Sequence, residues 1–273
     1  MATKALVEDW YDAHAEAEEH RLDDARLEFE VTKRVISDCI ISLGIKEANI
    51  IDIGGGPGRY AISLAQQGHH VTLIDISAKS LAIAEANARN ADISLEAIIH
   101  ANALDITRHA ASSSFDVVLC LGPLYHLTTR EERACVVTNV LAMAKPGAYV
   151  VLAYVTVFGH LRDMARRDSS RLVNEWGFYE KYLRTGVYDR RPENESFHVY
   201  PRDVEGELES VKSEAAVVKM VSCEGFLGYE TGRALAKVGD EDMERWVDVV
   251  MRSADHPYTF NSAEHLLVVL KKS

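Results

Sequence analysis

The chain has 273 residues, with 30 Lys+Arg against 42 Asp+Glu and a formal net charge of -12. A surface of that sign repels phosphate backbones and anionic bilayers, so neither nucleic acid nor a membrane is an expected partner. The length fits one α/β core with elaborations. Cys39, Cys120, Cys135 and Cys223 show no C-x-x-C spacing and read as reduced thiols, which points away from a metal site or a disulfide frame.

The first residues, MATKALVEDWYDAHAEAEEH, turn acidic early and lack the apolar core of a signal peptide. The longest apolar run, Ala148 to Phe158, is about half the ~20 residues a spanning helix needs. A cytoplasmic protein is therefore expected. From Val7 to Leu43 there is no Gly or Pro, and the composition predicts one long helix or two consecutive ones. Short β-branched runs then alternate with helical stretches. The predicted strands are Asn49–Gly54, His70–Ile76, Leu95–His100, Phe115–Leu121 and Ala148–Val157, with helices near Arg59–Gln67, Ala78–Asn90 and Arg130–Ala144. This alternation means right-handed βαβ units and a mostly parallel sheet. Beyond Val157 the pattern predicts a helix, then a hairpin or irregular excursion to about residue 200, a helix over Pro201–Val211, and an amphipathic helix around Asp240–Ser253. Late strands are expected at Ala215–Cys223 and His265–Lys271.

In DIGGGPGRY the glycines Gly54, Gly56 and Gly58 are spaced where a strand turns sharply into a helix and the backbone must approach a ligand. No Gly-Lys-Ser/Thr follows, which excludes a nucleoside-triphosphate loop. Asp75, 17 residues after Gly58, would bind a ribose diol in either a dinucleotide or an S-adenosylmethionine site. Two features separate these. Position 59 is Arg and the third glycine comes early, against the dinucleotide G-x-G-x-x-G; and Asp52, just ahead of the loop, opposes a pyrophosphate but suits an ammonium or sulfonium group.

Over roughly residues 45–157 the sequence resembles the class I S-adenosylmethionine-dependent methyltransferases, in particular a bacterial-type branch acting on small molecules. IIDIGGGPGRYAISLAQQGHHVTLIDIS is similar to that family's first two motifs, HANALDI to the segment after its third strand, and FDVVLCLGPLYHL to its fourth strand and following loop. The resemblance implies a Rossmann-like, doubly wound, seven-stranded α/β sheet. It also implies an N-terminal helical lid over 1–44 and a core over 45–273 with cap insertions at about 158–200 and 224–262. S-adenosylmethionine is the implied cofactor. Gly54, Gly55, Gly56 and Gly58 would cradle it, Asp52 would order the loop or meet its amino group through water, Asp75 would meet its ribose hydroxyls, Ile76, Asn102 and Ala103 its adenine, and Leu121 and Gly122 its methionine chain. Asn102 stands where the family often has Asp, its amide oxygen still able to accept from the adenine amino group. Tyr11, with Arg21 second, would hold the carboxylate.

Methyl transfer needs alignment and water exclusion, and sometimes a base. Tyr125 and His126 follow the fourth strand, and His126 is the candidate general base; Tyr125 and Tyr11 are the other candidate catalytic residues. Its alternative role is to start or cap the next helix. Tyr11, His14 and Glu18 share one helix face by spacing, with a solvated face as the plainer expectation for His14 and Glu18. His14, Tyr154, His160, Tyr179 and Tyr182 are candidate substrate-side residues, though most of the aromatic set at 158–200 suits a satellite core. Arg162, Arg166, Arg167, Arg190 and Arg191 are available to an anionic acceptor, or simply pair with the abundant carboxylates. The expected partner is a small-molecule methyl acceptor, for a monomer or homodimer without metal. A binding protein without transferase activity and a nicotinamide-dependent oxidoreductase are the alternatives.

Overall fold

The computed structural model describes residues 2–190, 192 and 195–273, so Arg191 lies outside it. The N-terminal stretch forms two helices, α1 (Ala2–Asp24) and α2 (Arg26–Leu43). The chain breaks at Ala25, and α2 closes at Gly44, whose φ of 67° is in the left-handed region that favours glycine. Then come β1 (Asn49–Ile53), α3 (Arg59–Gln66), β2 (His70–Asp75), α4 (Ala78–Asn90), β3 (Ala97–His100), β4 (Phe115–Cys120), α5 (Arg130–Met143) and β5 (Ala144–Val155). The excursion beyond holds α6 (Val157–Asp168), α7 (Arg171–Asn174), α8 (Trp176–Thr185) and a small hairpin of β6 (Val187–Tyr188) with β7 (Ser196–Phe197). After α9 (Val204–Glu207) come β8 (Ala215–Ser222), α10 (Tyr229–Ala234), α11 (Asp240–Met251) and β9 (His265–Lys272).

Seven strands form one sheet in the order β3-β2-β1-β4-β5-β9-β8, and only β9 runs against its neighbours. The predicted strands and most helices are present within a few residues. Both faces are covered: Ile50, Val117 and Leu119 pack into one core with α2, while Ile51, Val118 and Cys120 pack into the other with α5. This explains why these strands read as unbroken apolar runs. The strand order reverses between β1 and β4, so their carboxyl ends diverge and open a crevice.

The continuous helix expected over Pro201–Val211 is broken into a 3-10 turn at Pro201–Asp203, α9, and another 3-10 turn at Glu209–Val211. Gly206 weakens a helix there, and its carbonyl accepts from the Arg130 guanidinium at 2.6 Å. Arg133 binds Glu207 at 2.6 Å alongside, so tertiary partners replace helical ones.

Candidate active site

At the crevice the chain leaves β1 through Gly54 and Gly56, with φ of 73° and 53°. A Cβ on Gly54 would stand 2.5 Å from the Pro123 side chain, and one on Gly55 would stand 2.5 Å from Asp52 Oδ2. Side chains would fill the cradle, so the glycines keep it open. Gly58 has a different task. It caps α3 with φ of 79°, its Cβ position lies 3.1 Å from Ala84, and it does not line the cavity.

The cradle is one wall of a cavity of about 280 Å³. Of the residues singled out from the sequence, Tyr11, Arg21, Asp52, Gly54, Gly55, Gly56, Asp75, Ile76, Asn102, Ala103, Leu121, Gly122, Tyr125 and His126 all line it. Asp75 ends β2 and accepts backbone amides on both oxygens, from Gly56 and Ser77, each at 2.8 Å. Burial raises its pKa against those bonds. Asp52 is fully buried, and among the described residues neither carboxylate oxygen has a well-formed hydrogen bond, the Ala61 amide lowering its pKa only in part. Burial first, and the Asp75 carboxylate second, push its pKa up to about 7. An unpartnered buried carboxylate is costly, and a cationic ligand group relieves that cost. Asn102 caps the next turn, its Oδ1 accepting from the Leu104 amide at 2.9 Å. One lone pair of that oxygen is therefore spent, and among the described residues its NH2 has no protein partner.

From α1, Tyr11 Oη reaches His126 Nε2 at 2.5 Å. Burial pushes the His126 pKa down to about 4 and that of Tyr11 well above the usual phenol range. Burial thus favours the neutral imidazole, whose Nε2 meets the Tyr11 hydroxyl. Tyr125 is likewise raised by burial. Arg21 grips Glu28 through both guanidinium nitrogens, at 3.1 and 3.3 Å, with Glu18 at 3.4 Å. Glu28 in turn lies 3.3 Å from His265 Nδ1, and Glu224 lies 3.1 Å from the same nitrogen. Burial opposes a charge on His265, but the two carboxylates outweigh it and raise its pKa to about 9. The ligand atoms of these three side chains all lie within 4.8 Å of one another.

Several expectations fall elsewhere. His14 is exposed, bonded through Nδ1 to the Trp10 carbonyl and stacked on the Trp10 ring, whereas Glu18 of the same predicted face lines the cavity. Tyr154 is buried in the core with an unpartnered hydroxyl. His160, Tyr179 and Tyr182 belong to a satellite cluster with Tyr188 and His198, where Tyr182 bonds His198 at 2.7 Å. None of these five lines the cavity. Arg162 binds the carbonyls of Asn261, Ser262 and Ala263, and Arg166, Arg167 and Arg190 pair with Asp163, Asp163 and Glu175. Missed by the sequence reading are Glu132, Thr128 and Thr129 at the cavity rim and the Glu28–His265–Glu224 set behind Arg21. A Thr-x-x-Glu cap signal is the one sequence cue for the rim residues.

Residues 50–147 match the protein family described as methyltransferase domain. Ubiquinone biosynthesis O-methyltransferase of Yersinia pestis is 28% identical over 155 residues, 56% of this chain and 58% of that protein. The chain thus aligns with little more than half the length of that curated relative. Among solved structures, magnesium protoporphyrin IX methyltransferase from Synechocystis with bound S-adenosylhomocysteine superposes with a TM-score of 0.63 at 14% identity, covering 99% of this chain and 100% of that one. A (4+2)-cyclase, SpnF, superposes with a TM-score of 0.54 at 17% identity, covering 91% and 80%. Residues 50–147 thus match a methyltransferase domain, and the chain shares the fold of these solved structures.

Proposed function

We propose that the protein transfers a methyl group from S-adenosylmethionine to a small molecule. The observation that carries this reading is the unpartnered Asp52 carboxylate beneath an open glycine cradle, in the same cavity as Asp75. The cofactor supplies an electrophilic methyl on a sulfonium centre. Asp75 would accept from the ribose hydroxyls, Ile76 would pack on the adenine, and the Asn102 amide and Ala103 would meet its edge. Gly54, Gly55, Gly56, Leu121 and Gly122 would flank the methionine chain, whose amino group suits Asp52 and whose carboxylate suits Arg21 and Tyr11. His126, neutral and bonded to Tyr11, shapes the acceptor side without serving as a strong base.

In this reading residues 1–44 form a lid and 45–273 the core, with caps at about 158–200 and 224–262. The net charge of -12 supports a small acceptor over nucleic acid. Four free cysteines support a reducing, cytoplasmic setting. A binding role without turnover is the second reading, since the same fold hosts a cyclase. Calorimetry decides the cofactor: S-adenosylhomocysteine should bind, and Asp75→Ala should weaken it by roughly 2 kcal/mol through loss of charged hydrogen bonds. Preference for NAD, or unchanged affinity in Asp75→Ala, overturns the reading. Release of S-adenosylhomocysteine with an acceptor present separates enzyme from binding protein.

A further inference from the structure

The aim of the Asp75 carboxylate is set from two sides. The Gly56 amide donates to Oδ2 from the glycine cradle, and the Ser77 amide donates to Oδ1 from the start of α4, each at 2.8 Å. Each oxygen keeps a lone pair for a ligand hydroxyl. The second of these amides belongs to a residue that is fully buried and pinned by its own side chain. Ser77 Oγ caps α4 by accepting from the Ser80 amide at 3.0 Å. A hydroxyl has a single hydrogen to give, and that of Ser77 goes to Asp12 Oδ1 of α1 at 2.6 Å, its one acceptor among the described residues.

Asp12 Oδ1 also accepts from the Lys79 amide at 3.2 Å, in the first turn of α4, where a carboxylate meets the positive end of the helix. The Ser77 hydroxyl first, and the Lys79 amide after it, hold the Asp12 carboxyl below its usual pKa. One helical turn earlier on α1, Glu8 lies 3.4 Å from His100 Nε2, and the same nitrogen donates to the Ile76 carbonyl at 2.7 Å. Two acidic side chains on one face of α1 therefore brace the turn Asp75–Ile76–Ser77. Asp75 and Ile76 line the cavity, whereas Glu8 and Asp12 do not. The Glu8–His100 pair is exposed and weak, so Asp12 carries the link.

Resting on the cofactor reading above, we infer that Asp12 and Ser77 are positioning residues for the ribose site. Asp12 fixes the Ser77 hydroxyl, Ser77 holds its amide against Asp75 Oδ1, and Asp75 is thereby kept in the orientation that accepts from the ribose hydroxyls. Neither Asp12 nor Ser77 lines the cavity, so both act through Asp75. Docking of α1 and occupation of the ribose site then favour one another.

The test is a double-mutant cycle in the full chain, read by calorimetric titration with S-adenosylhomocysteine. Asp12→Ala should weaken binding about fivefold, the worth of one net hydrogen bond. Asp12→Asn should recover most of that loss, because its amide oxygen still accepts from Ser77. In an Asp75→Ala background, Asp12→Ala should cost nothing further. With Asp75 intact, an S-adenosylhomocysteine analogue lacking both ribose hydroxyls should bind Asp12→Ala as well as it binds the unaltered protein. A loss that persists in the Asp75→Ala background or with that analogue shows Asp12 acting elsewhere and overturns the inference. Full affinity in Asp12→Ala, or no recovery in Asp12→Asn, overturns it too. Failure of S-adenosylhomocysteine to bind the unaltered protein overturns the cofactor reading instead, and is seen before any variant is made.

Discussion

The two N-terminal helices are neighbours in sequence and opposites in attachment. Helix α2 buries Leu27, Val31, Val35, Ile36, Cys39 and Ile40 against the sheet core. Helix α1 buries little beyond Ala15 and Leu22 and is fastened by polar contacts: Tyr11 to His126, Asp12 to Ser77 at 2.6 Å, Glu19 to Asn87 at 3.0 Å, Asp23 to Arg59. Burial is lost only when the core opens, whereas hydrogen bonds and surface ion pairs exchange readily with water. One helix is built into the core, and the other is attached mainly through polar contacts.

Three measurements bear on that contrast. Ile36→Ala should lower unfolding stability by about 2–5 kcal/mol, the usual cost of truncating a fully buried aliphatic side chain. A loss confined to cofactor affinity would erase the distinction. The next effect is pH dependence through His265, which ties α2 to β9 and, through Glu28, to Arg21 of α1. Its pKa is raised to about 9, so its stabilisation is full below the ordinary histidine value of about 6.5 and is lost as pH rises through about 9. The thermal midpoint should fall across that window and flatten in His265→Gln; a midpoint that rises instead would show His265 to be neutral when folded. The smallest effect belongs to α1. Tyr11→Phe should weaken S-adenosylhomocysteine by about 1 kcal/mol, one net hydrogen bond, and leave the midpoint within about 0.5 kcal/mol of stability. A large stability loss would make α1 structural.

The core was readable because its signals are local. Apolar runs of strand length, the Gly54–Gly58 spacing and Asp75 at a strand end each report on a few adjacent residues. The Arg21–Glu28–His265–Glu224 set was not readable, since its members come from α1, α2, the segment after β8 and the start of β9, and no spacing links them. Periodicity placed Tyr11, His14 and Glu18 on one face, yet the docking angle of α1 turns His14 to solvent while its two partners line the cavity. The helix expected over Pro201–Val211 failed for a similar reason, because the guanidinium that takes the Gly206 carbonyl comes from α5.

The orphan carboxylate of Asp52 also makes ligand uptake a proton-exchange event. With its pKa pushed up to about 7, the side chain is part-protonated near neutrality, and a cationic ligand that favours the ionised form expels that proton to the medium. The apparent heat of binding should then track the ionisation enthalpy of the buffer, and affinity should climb as pH rises through about 7. In Asp52→Asn both dependences should vanish, leaving a pocket that takes up its ligand without exchanging a proton at that position.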